Sequence, residues 1–541
     1  MSQIVQEQPL QQQPRQNWAT RFGVILAVMG SAVGLGNFLR FPGLAAKYEG
    51  GAFMIPYFTA FLLLGLPLAW VEWAIGRYGG ARGFNSSPGI YRMLTRGPIA
   101  AFFGSLAVLV PVVIYMYYVV IEAWCLGYAW YIATGKLALG TTDKTPYVNL
   151  FRAFTGLDEN GLGIQSQGGA AAILVLLCFL LNFGLIYRGL TKGIERFCTW
   201  AMPALIACAL IVLVRVLTLN TPNPDRPELN VLSGLGFMWN PRTERLGFFE
   251  SLANGQMWLE AAGQIFFSLS VGFGIIINYA SYVRRDDDIV LSALTSAAGN
   301  EFCEVALGGL ITVPAAFIFL GAAGVGGSLF TLGFITLPMV FASMPGGQIV
   351  GTLFFSLLFL AALTSSLSML QPAIALLEEG PGMSRRVAVA VLGFITLVGS
   401  GFVMYFSKNL VALDTFDFWI GTFCIYILAM FQVFLWGRAF GVDRGYEEIT
   451  RGAELHLPRW VMYVIQYVSP TYLVIVFVAF LWQQLRATEA NRFTALMHDL
   501  PTKLSVGFIL AVWMLFGLLV SQSFRRWSAN QRARGFEVNL R

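Results

Sequence analysis

Apolar stretches of about 20 residues recur along the chain, each long enough to cross roughly 30 Å of hydrocarbon. Twelve such segments can be drawn, at 20–42, 52–77, 100–134, 170–187, 195–219, 252–278, 287–316, 347–378, 386–407, 411–436, 458–484 and 504–524. In lipid every backbone polar group needs an internal partner, so spans of this length must be helices. The expected fold is therefore an all-α polytopic membrane protein with twelve transmembrane helices. Composition agrees: 12% of the residues are charged, against roughly 25% in soluble domains. The stretch 317–346 could pass for a further span, but Gly324, Gly326, Gly327, Pro338 and Pro345 interrupt it. An external hairpin of short helices is expected there.

The basic residues fix an orientation. With both termini on one side, 22 of the 35 Lys and Arg residues fall on that side and 11 on the other, with Arg40 and Arg215 inside spans. The richer side is expected to be cytoplasmic. The net charge of +6 is divided into clusters between membrane-length segments, which excludes a nucleic-acid surface. The six cysteines, at 125, 178, 198, 208, 303 and 424, have no metal-ligand spacing, and neither do His456 and His498. The first 17 residues are polar and Gln-rich, so no cleavable signal peptide is expected. No nucleophile–base pattern suggests an enzyme.

Two segments are poor helix interiors. Gly30-Ser31-Ala32-Val33-Gly34-Leu35-Gly36-Asn37 lies in the first span, and Ser268-Leu269-Ser270-Val271-Gly272-Phe273-Gly274 in the sixth. Small residues allow close helix packing. They also allow the backbone to leave helical geometry, which is tolerated at membrane depth only against a cavity, an ion or a substrate. Breaks near 31–36 and 268–272, in the first and sixth spans, suit a transporter built on an inverted repeat. The glycines at 34 and 36 do not make a dinucleotide fingerprint, because the third glycine and the preceding strand are missing.

Several motifs then occur in order: Trp18-Ala19-Thr20-Arg21, Gly34-Leu35-Gly36-Asn37-Phe38-Leu39-Arg40-Phe41-Pro42, Gly50-Gly51-Ala52-Phe53 and Glu72-Trp73-Ala74-Ile75-Gly76-Arg77. Lys192-Gly193-Ile194-Glu195-Arg196, Gln264-Ile265-Phe266-Phe267 and Leu363-Thr364-Ser365-Ser366 follow. From about residue 15 to beyond 480 the chain resembles the neurotransmitter:sodium symporter family, in particular its bacterial leucine-transporting branch. The resemblance implies a 5+5 inverted repeat with broken helices 1 and 6. Its divisions would be an N-terminal segment 1–19 with inner-gate residues, a first repeat 20–219 and an external loop 220–251. A second repeat 252–436, helices 11 and 12 at 437–524 and a tail 525–541 would complete the chain. A bacterial cytoplasmic membrane, both termini inside, is the implied location.

Two co-transported sodium ions are implied as ligands, with no organic cofactor and no chloride requirement. The first would be held by Asn37, Ser268, Asn300 and the Ala32 carbonyl, with the substrate carboxylate. The second would use the Gly30 and Val33 carbonyls with Ala361, Thr364 and Ser365. The hydroxyls at 364 and 365 could equally satisfy carbonyls of their own helix. Glu304, four residues after Asn300 on nearly the same helix face, would supply the negative charge that chloride provides elsewhere in the family. It could also exchange a proton as the empty carrier returns.

The implied substrate is a neutral, apolar amino acid. Its carboxylate would meet the first sodium, the Tyr118 hydroxyl and the amides of the Gly34, Leu35 and Gly36 stretch. Its ammonium would meet the carbonyls of Ala32, Phe267 and Ser270, beside Ser268. Ile114, Phe267, Phe273, Ser365 and Met369, with Ser31 nearby, would enclose the side chain. Met369 and Ser31 replace isoleucine and asparagine of the leucine transporter, so the preferred side chain stays open. Outer closure would involve Arg40, Asp417, Tyr118 and Phe267. Inner closure would involve Arg15, Glu379, Trp18, Ser281 and Tyr282. Sodium-coupled symport by alternating access follows; a betaine, osmolyte or biogenic amine is the alternative cargo. Lipid is an implied partner, nucleic acid is not, and a homodimer is compatible with the family.

Overall fold

The computed structural model describes residues 17–48, 50–139, 141, 143–161, 169–222, 224–241, 247–325, 328–486 and 492–533. The protein is all-helical over these residues. A bent pair comes first: α1 (Arg21–Ala32) and α2 (Gly36–Lys47) meet at 48°. Then come α3 (Gly51–Ala81), α4 (Pro98–Ala133), α5 (Ala170–Tyr187) and α6 (Leu190–Leu217). A split segment follows, α7 (Gly255–Leu269) and α8 (Ile275–Ala280). The remaining long helices are α9 (Ile289–Leu320), α10 (Gly347–Glu379), α11 (Arg385–Tyr405), α12 (Lys408–Phe440), α13 (Trp460–Arg486) and α14 (Leu500–Ala529). Among the described residues ten helices are long and apolar enough to cross a membrane, and the α1–α2 pair makes an eleventh candidate. The 317–346 stretch contains the short helix Ala322–Val325 and the apolar helix Leu329–Ser343, the latter below spanning length.

Local chemistry explains the ends that matter. The Thr20 hydroxyl caps α1 by accepting from the Gly23 N–H at 2.9 Å. Glu195, near the start of α6, accepts from the Ala19 and Thr20 amides at 2.9 and 3.1 Å, so the entry to α1 is held by a carboxylate. The Asp288 side chain caps α9 through the Leu291 N–H at 2.9 Å. Two charges meet behind α3, where buried Arg77 donates to Glu448 at 2.9 Å.

The breaks are conformational. α1 stops at Val33, which is extended (φ −73°, ψ 104°). The second break falls at 270–274, later than the 268–272 expected from composition: Ser268 and Leu269 are still helical, and Ser270, Gly272 and Gly274 have φ of 55°, 77° and 79°. Positive φ is cheap for glycine and strained for serine. At Gly274 a Cβ would also stand 2.5 Å from the Ala107 carbonyl oxygen, so α8 approaches α4 only through a bare backbone.

Candidate ion and substrate site

The two breaks face each other, and polar side chains from α2, α7 and α9 close the space between them. The Asn37 Oδ1 accepts from the Gly34 N–H at 2.8 Å, which satisfies an amide freed by the break. Its Nδ2 donates to Asn300 Oδ1 at 2.8 Å and to Glu304 Oε2 at 3.1 Å. The Asn300 amide donates to the Ser268 hydroxyl at 2.7 Å, and that hydroxyl donates to Glu304. Gln264 donates to the other Glu304 oxygen at 2.7 Å. All five side chains are buried. Every donor to Glu304 is neutral, and no ion pair involves it among the described residues. Glu304 is thus ringed by N–H and O–H donors, and together with the Asn37 and Asn300 amide oxygens and the Ser268 hydroxyl it offers the oxygen chemistry that suits a hard cation.

A second oxygen cluster joins α1 to α10 without a carboxylate. The Ser365 hydroxyl lies 3.3 Å from the Gly30 carbonyl oxygen, 3.4 Å from those of Ser31 and Val33, and 3.0 Å from that of Ala361. The Thr364 hydroxyl donates to the carbonyls of Leu360 and Ala361 at 3.2 and 3.0 Å. Both hydroxyls thus bond to their own helix. Ser365 additionally reaches across to α1, where the last turn has carbonyls to spare. One proton cannot serve four carbonyl oxygens, so the cluster is rich in acceptors and short of donors.

Between the clusters, the Leu35 N–H donates to the Tyr118 hydroxyl at 3.1 Å. A Cβ on Gly34 would stand 2.6 Å from that hydroxyl and 3.0 Å from the Ser365 Oγ, so a larger residue would have to displace the Tyr118 side chain. A Cβ on Gly36 would meet the Phe267 ring at 3.2 Å. Ser31 and Ser270 join the breaks directly, hydroxyl to hydroxyl at 3.3 Å and Ser270 Oγ to the Ser31 carbonyl at 3.0 Å. Ala32, the last residue of α1, is buried beside them in sequence. The Phe267 and Phe273 rings pack edge to face with centroids 6.0 Å apart. Ile114 lies one turn before Tyr118 on α4 and Met369 one turn after Ser365 on α10, both buried.

The gating residues divide. At one end Trp18 is buried, donating from its indole N–H to the Tyr279 carbonyl at 2.9 Å and from its backbone to Tyr282 at 3.4 Å. Ser281 is buried there too, bonded to the Asn278 carbonyl at 2.6 Å. Arg15 lies outside the described residues. The Arg15–Glu379 pair is therefore not described; on its own side the Glu379 carboxylate accepts from the Asn85 and Ser86 amides and the Ser86 hydroxyl. Glu379 therefore anchors the 85–86 turn to α10. Its neighbour Glu378 is the charge-paired one, 3.3 Å from Arg385.

At the other end the expected Arg40–Asp417 ion pair is not formed. The Arg40 guanidinium sits 4.8 Å from the Phe267 ring centroid, and Asp417 accepts from Tyr117 at 2.7 Å. Tyr117 thus engages the carboxylate and the Phe267 ring the guanidinium.

Two buried carboxylates carry roles that the motifs alone did not assign. Glu72 accepts from the Gly272 N–H at 3.2 Å and from Gln432 at 2.6 Å, which supports the second break from behind. Glu122, one turn beyond Tyr118, accepts from Ser366 at 2.6 Å and Asn182 at 3.1 Å, tying α4 to α10 and α5. The available signal was a lone acidic residue within an apolar span.

Three comparisons bear on this arrangement. A profile described as "Sodium:neurotransmitter symporter family" matches residues 15–149 and 147–523. An uncharacterized sodium-dependent transporter of Methanocaldococcus jannaschii is 29% identical over 486 residues, covering 85% of this chain and 89% of that protein. A sodium- and chloride-dependent taurine transporter of Bos taurus is 27% identical over 499 residues, covering 84% and 76%. Among solved structures, MhsT in complex with L-phenylalanine superposes with a TM-score of 0.73 at 27% identity, over 86% of this chain and all of that one.

Proposed function

The chain belongs to the sodium:neurotransmitter symporter family, and from that premise we propose that it carries neutral, apolar amino acids inward by sodium-coupled alternating access. It is a transporter and not an enzyme. The observation that carries the amino-acid reading is the facing pair of helix breaks, at 33–35 and 270–274, flanked by one oxygen cluster with a carboxylate and one without. A zwitterion bound there finds backbone amides and carbonyls rather than a fixed opposite charge, which avoids the cost of burying side-chain ions. The likeness to MhsT with L-phenylalanine supports an apolar side chain, and the Phe267–Phe273 pair with Met369 supplies an adaptable apolar wall.

In this reading Asn37, Ser268, Asn300 and the Ala32 carbonyl hold the first sodium beside the substrate carboxylate. Gly30, Val33, Ala361, Thr364 and Ser365 hold the second. Glu304 supplies the compensating negative charge, so chloride is not required. Joining α7 to α8 and α1 to α2 gives twelve spans, arranged as two inverted five-helix repeats and two further helices. Both termini then face the cytoplasm, as the basic-residue bias asks. Closure at the Trp18 end while Arg40 and Asp417 stand apart describes a site shut from within and unlatched from without.

Uptake into liposomes of the purified chain, screened across the amino acids under an inward sodium gradient, tests the proposal. Apolar amino acids should accumulate, and collapse of the gradient should end the accumulation. Equal uptake in sodium and potassium would contradict it.

A further inference from the structure

A cavity of about 200 Å³ opens away from the helix breaks, lined by Arg82, Arg285, Arg444, Arg451, Glu447 and Glu448 among others. It lies at the Trp18 end, where Arg21 at the start of α1 pairs with Asp288 and Glu454 at 3.3 and 3.0 Å. Its residues come from three places that are remote in sequence. Arg82 follows α3, Arg285 is in the turn after α8, and the others sit on or just beyond the short helix Val442–Thr450.

Four arginines face two glutamates here, an excess of two positive charges. One glutamate is already committed: Glu448 takes the Arg77 Nε at 2.9 Å, while the Arg451 guanidinium stays 3.9 Å from its other oxygen. Arg82 is fixed in place, stacked 3.3 Å over the Tyr78 ring and donating to the Tyr78 carbonyl at 3.1 Å. Neither Arg285 nor Arg444 has an ion pair among the described residues. Burial lowers the Arg82 pKa; Tyr78 and Glu448 act against that shift, and the nearby Arg285 and Arg444 add to it. Guanidiniums gathered around one concave space repel unless an anion joins them, and their planar forks match phosphate oxygens.

We propose that this cavity binds a phosphate-bearing anion, taken either from the headgroup of an anionic phospholipid or from a soluble phosphate compound. The anion bridges the ends of α3 and α8 to the Val442–Thr450 helix, on the side of the protein richest in basic residues. A cytoplasmic leaflet supplies such headgroups. This goes beyond the transport reading, and its test reads binding at the cavity alone.

Native mass spectrometry of the full chain in neutral detergent can use three probes: phosphatidylglycerol, phosphatidylcholine and inorganic pyrophosphate. The variants are Arg285→Ala/Arg444→Ala, Arg285→Lys/Arg444→Lys, and an equal-charge control, Arg188→Ala/Arg196→Ala, at exposed positions just before α6 and within it. The unmodified chain and the control should retain phosphatidylglycerol over phosphatidylcholine, and pyrophosphate should displace it. Loss of two charge-assisted contacts should weaken retention on the order of 10-fold or more, with the lysine variant in between. Sodium-dependent amino-acid binding in the alanine variant serves as the check on folding. Pyrophosphate binding without lipid selectivity, lost in the alanine variant, upholds the site and assigns it to a soluble anion. Retention of phosphatidylglycerol and of pyrophosphate by the alanine variant equal to that of the unmodified chain overturns the proposal. So does a chain that retains the two lipids alike and binds no pyrophosphate.

Discussion

The two oxygen clusters flank the same break in the first span, yet they are built on opposite principles. Around Asn37 a buried carboxylate, Glu304, is surrounded by neutral donors. Around Ser365 there is no carboxylate, only the spare carbonyls of the last turn of α1 and the hydroxyls of α10. The first can hold a full positive charge through a fixed negative one; the second relies on dipoles. Removing a polar group from the first leaves a buried charge uncompensated, which is costly. Removing one from the second costs a single ligand.

The largest effect is expected from Asn37→Ala. It frees the Gly34 amide and removes contacts to Asn300 and Glu304 at once. At about 1–3 kcal/mol for each buried group left unpaired, sodium-driven uptake in liposomes should fall at least on the order of 100-fold. Uptake near that of the unmodified chain would remove Asn37 from the ion site.

Next is Glu304→Ser, which converts the charged cluster into a neutral one. Uptake with gluconate on both sides should fall on the order of 10-fold or more, and chloride should restore it, since the hydroxyl can help hold an anion where the carboxylate was. Equal activity in both salts would break the contrast between the clusters. Ser365→Ala should act more gently, raising the sodium concentration for half-maximal uptake on the order of 10-fold while the Glu304 cluster keeps its geometry. A loss as complete as that of Asn37→Ala would make the two clusters equivalent.

Glu122→Ala lies outside both clusters and should act chiefly on stability. It strands Asn182 and Ser366 in the α4–α5–α10 contact, a cost of about 1–3 kcal/mol, read as a lower unfolding midpoint. Glu122→Gln, which keeps an acceptor, should lose less. If both variants unfold at the same temperature as the unmodified chain, the three-helix tie contributes nothing.

Sequence legibility followed the same division between local and distant causes. The apolar runs foretold the helices to within a few residues, because span length is set by the hydrocarbon and not by tertiary detail. The small-residue segments marked both breaks, but the second was read two residues early. Ser270 carries a positive φ that only the chain path imposes, and Ser268 keeps its helix. The family resemblance pointed to Asn37, Ser268, Asn300 and Ser365; in the structure Asn37 donates to Asn300, Asn300 donates to Ser268, and the Ser365 hydroxyl lies 3.3 Å from the Gly30 carbonyl oxygen. The motifs could not reveal Glu122, whose partners lie 60 and 244 residues away on other helices. Nor could they foresee that Ser86 and Asn85 occupy Glu379, or that Tyr117 holds Asp417. Those contacts depend on which helices meet, and a pair of charges spaced along a sequence does not specify that.

If one site couples sodium to an amino acid, reciprocal titration of the purified chain reveals it. The amino acid's Kd is measured as sodium is raised, and the apparent sodium affinity as the amino acid is raised, with potassium holding ionic strength constant. Linkage requires each ligand to tighten the other by the same factor. A large, equal factor is expected in both directions in the unmodified chain, abolished by Asn37→Ala. Amino-acid binding of the same strength in sodium and in potassium would contradict it.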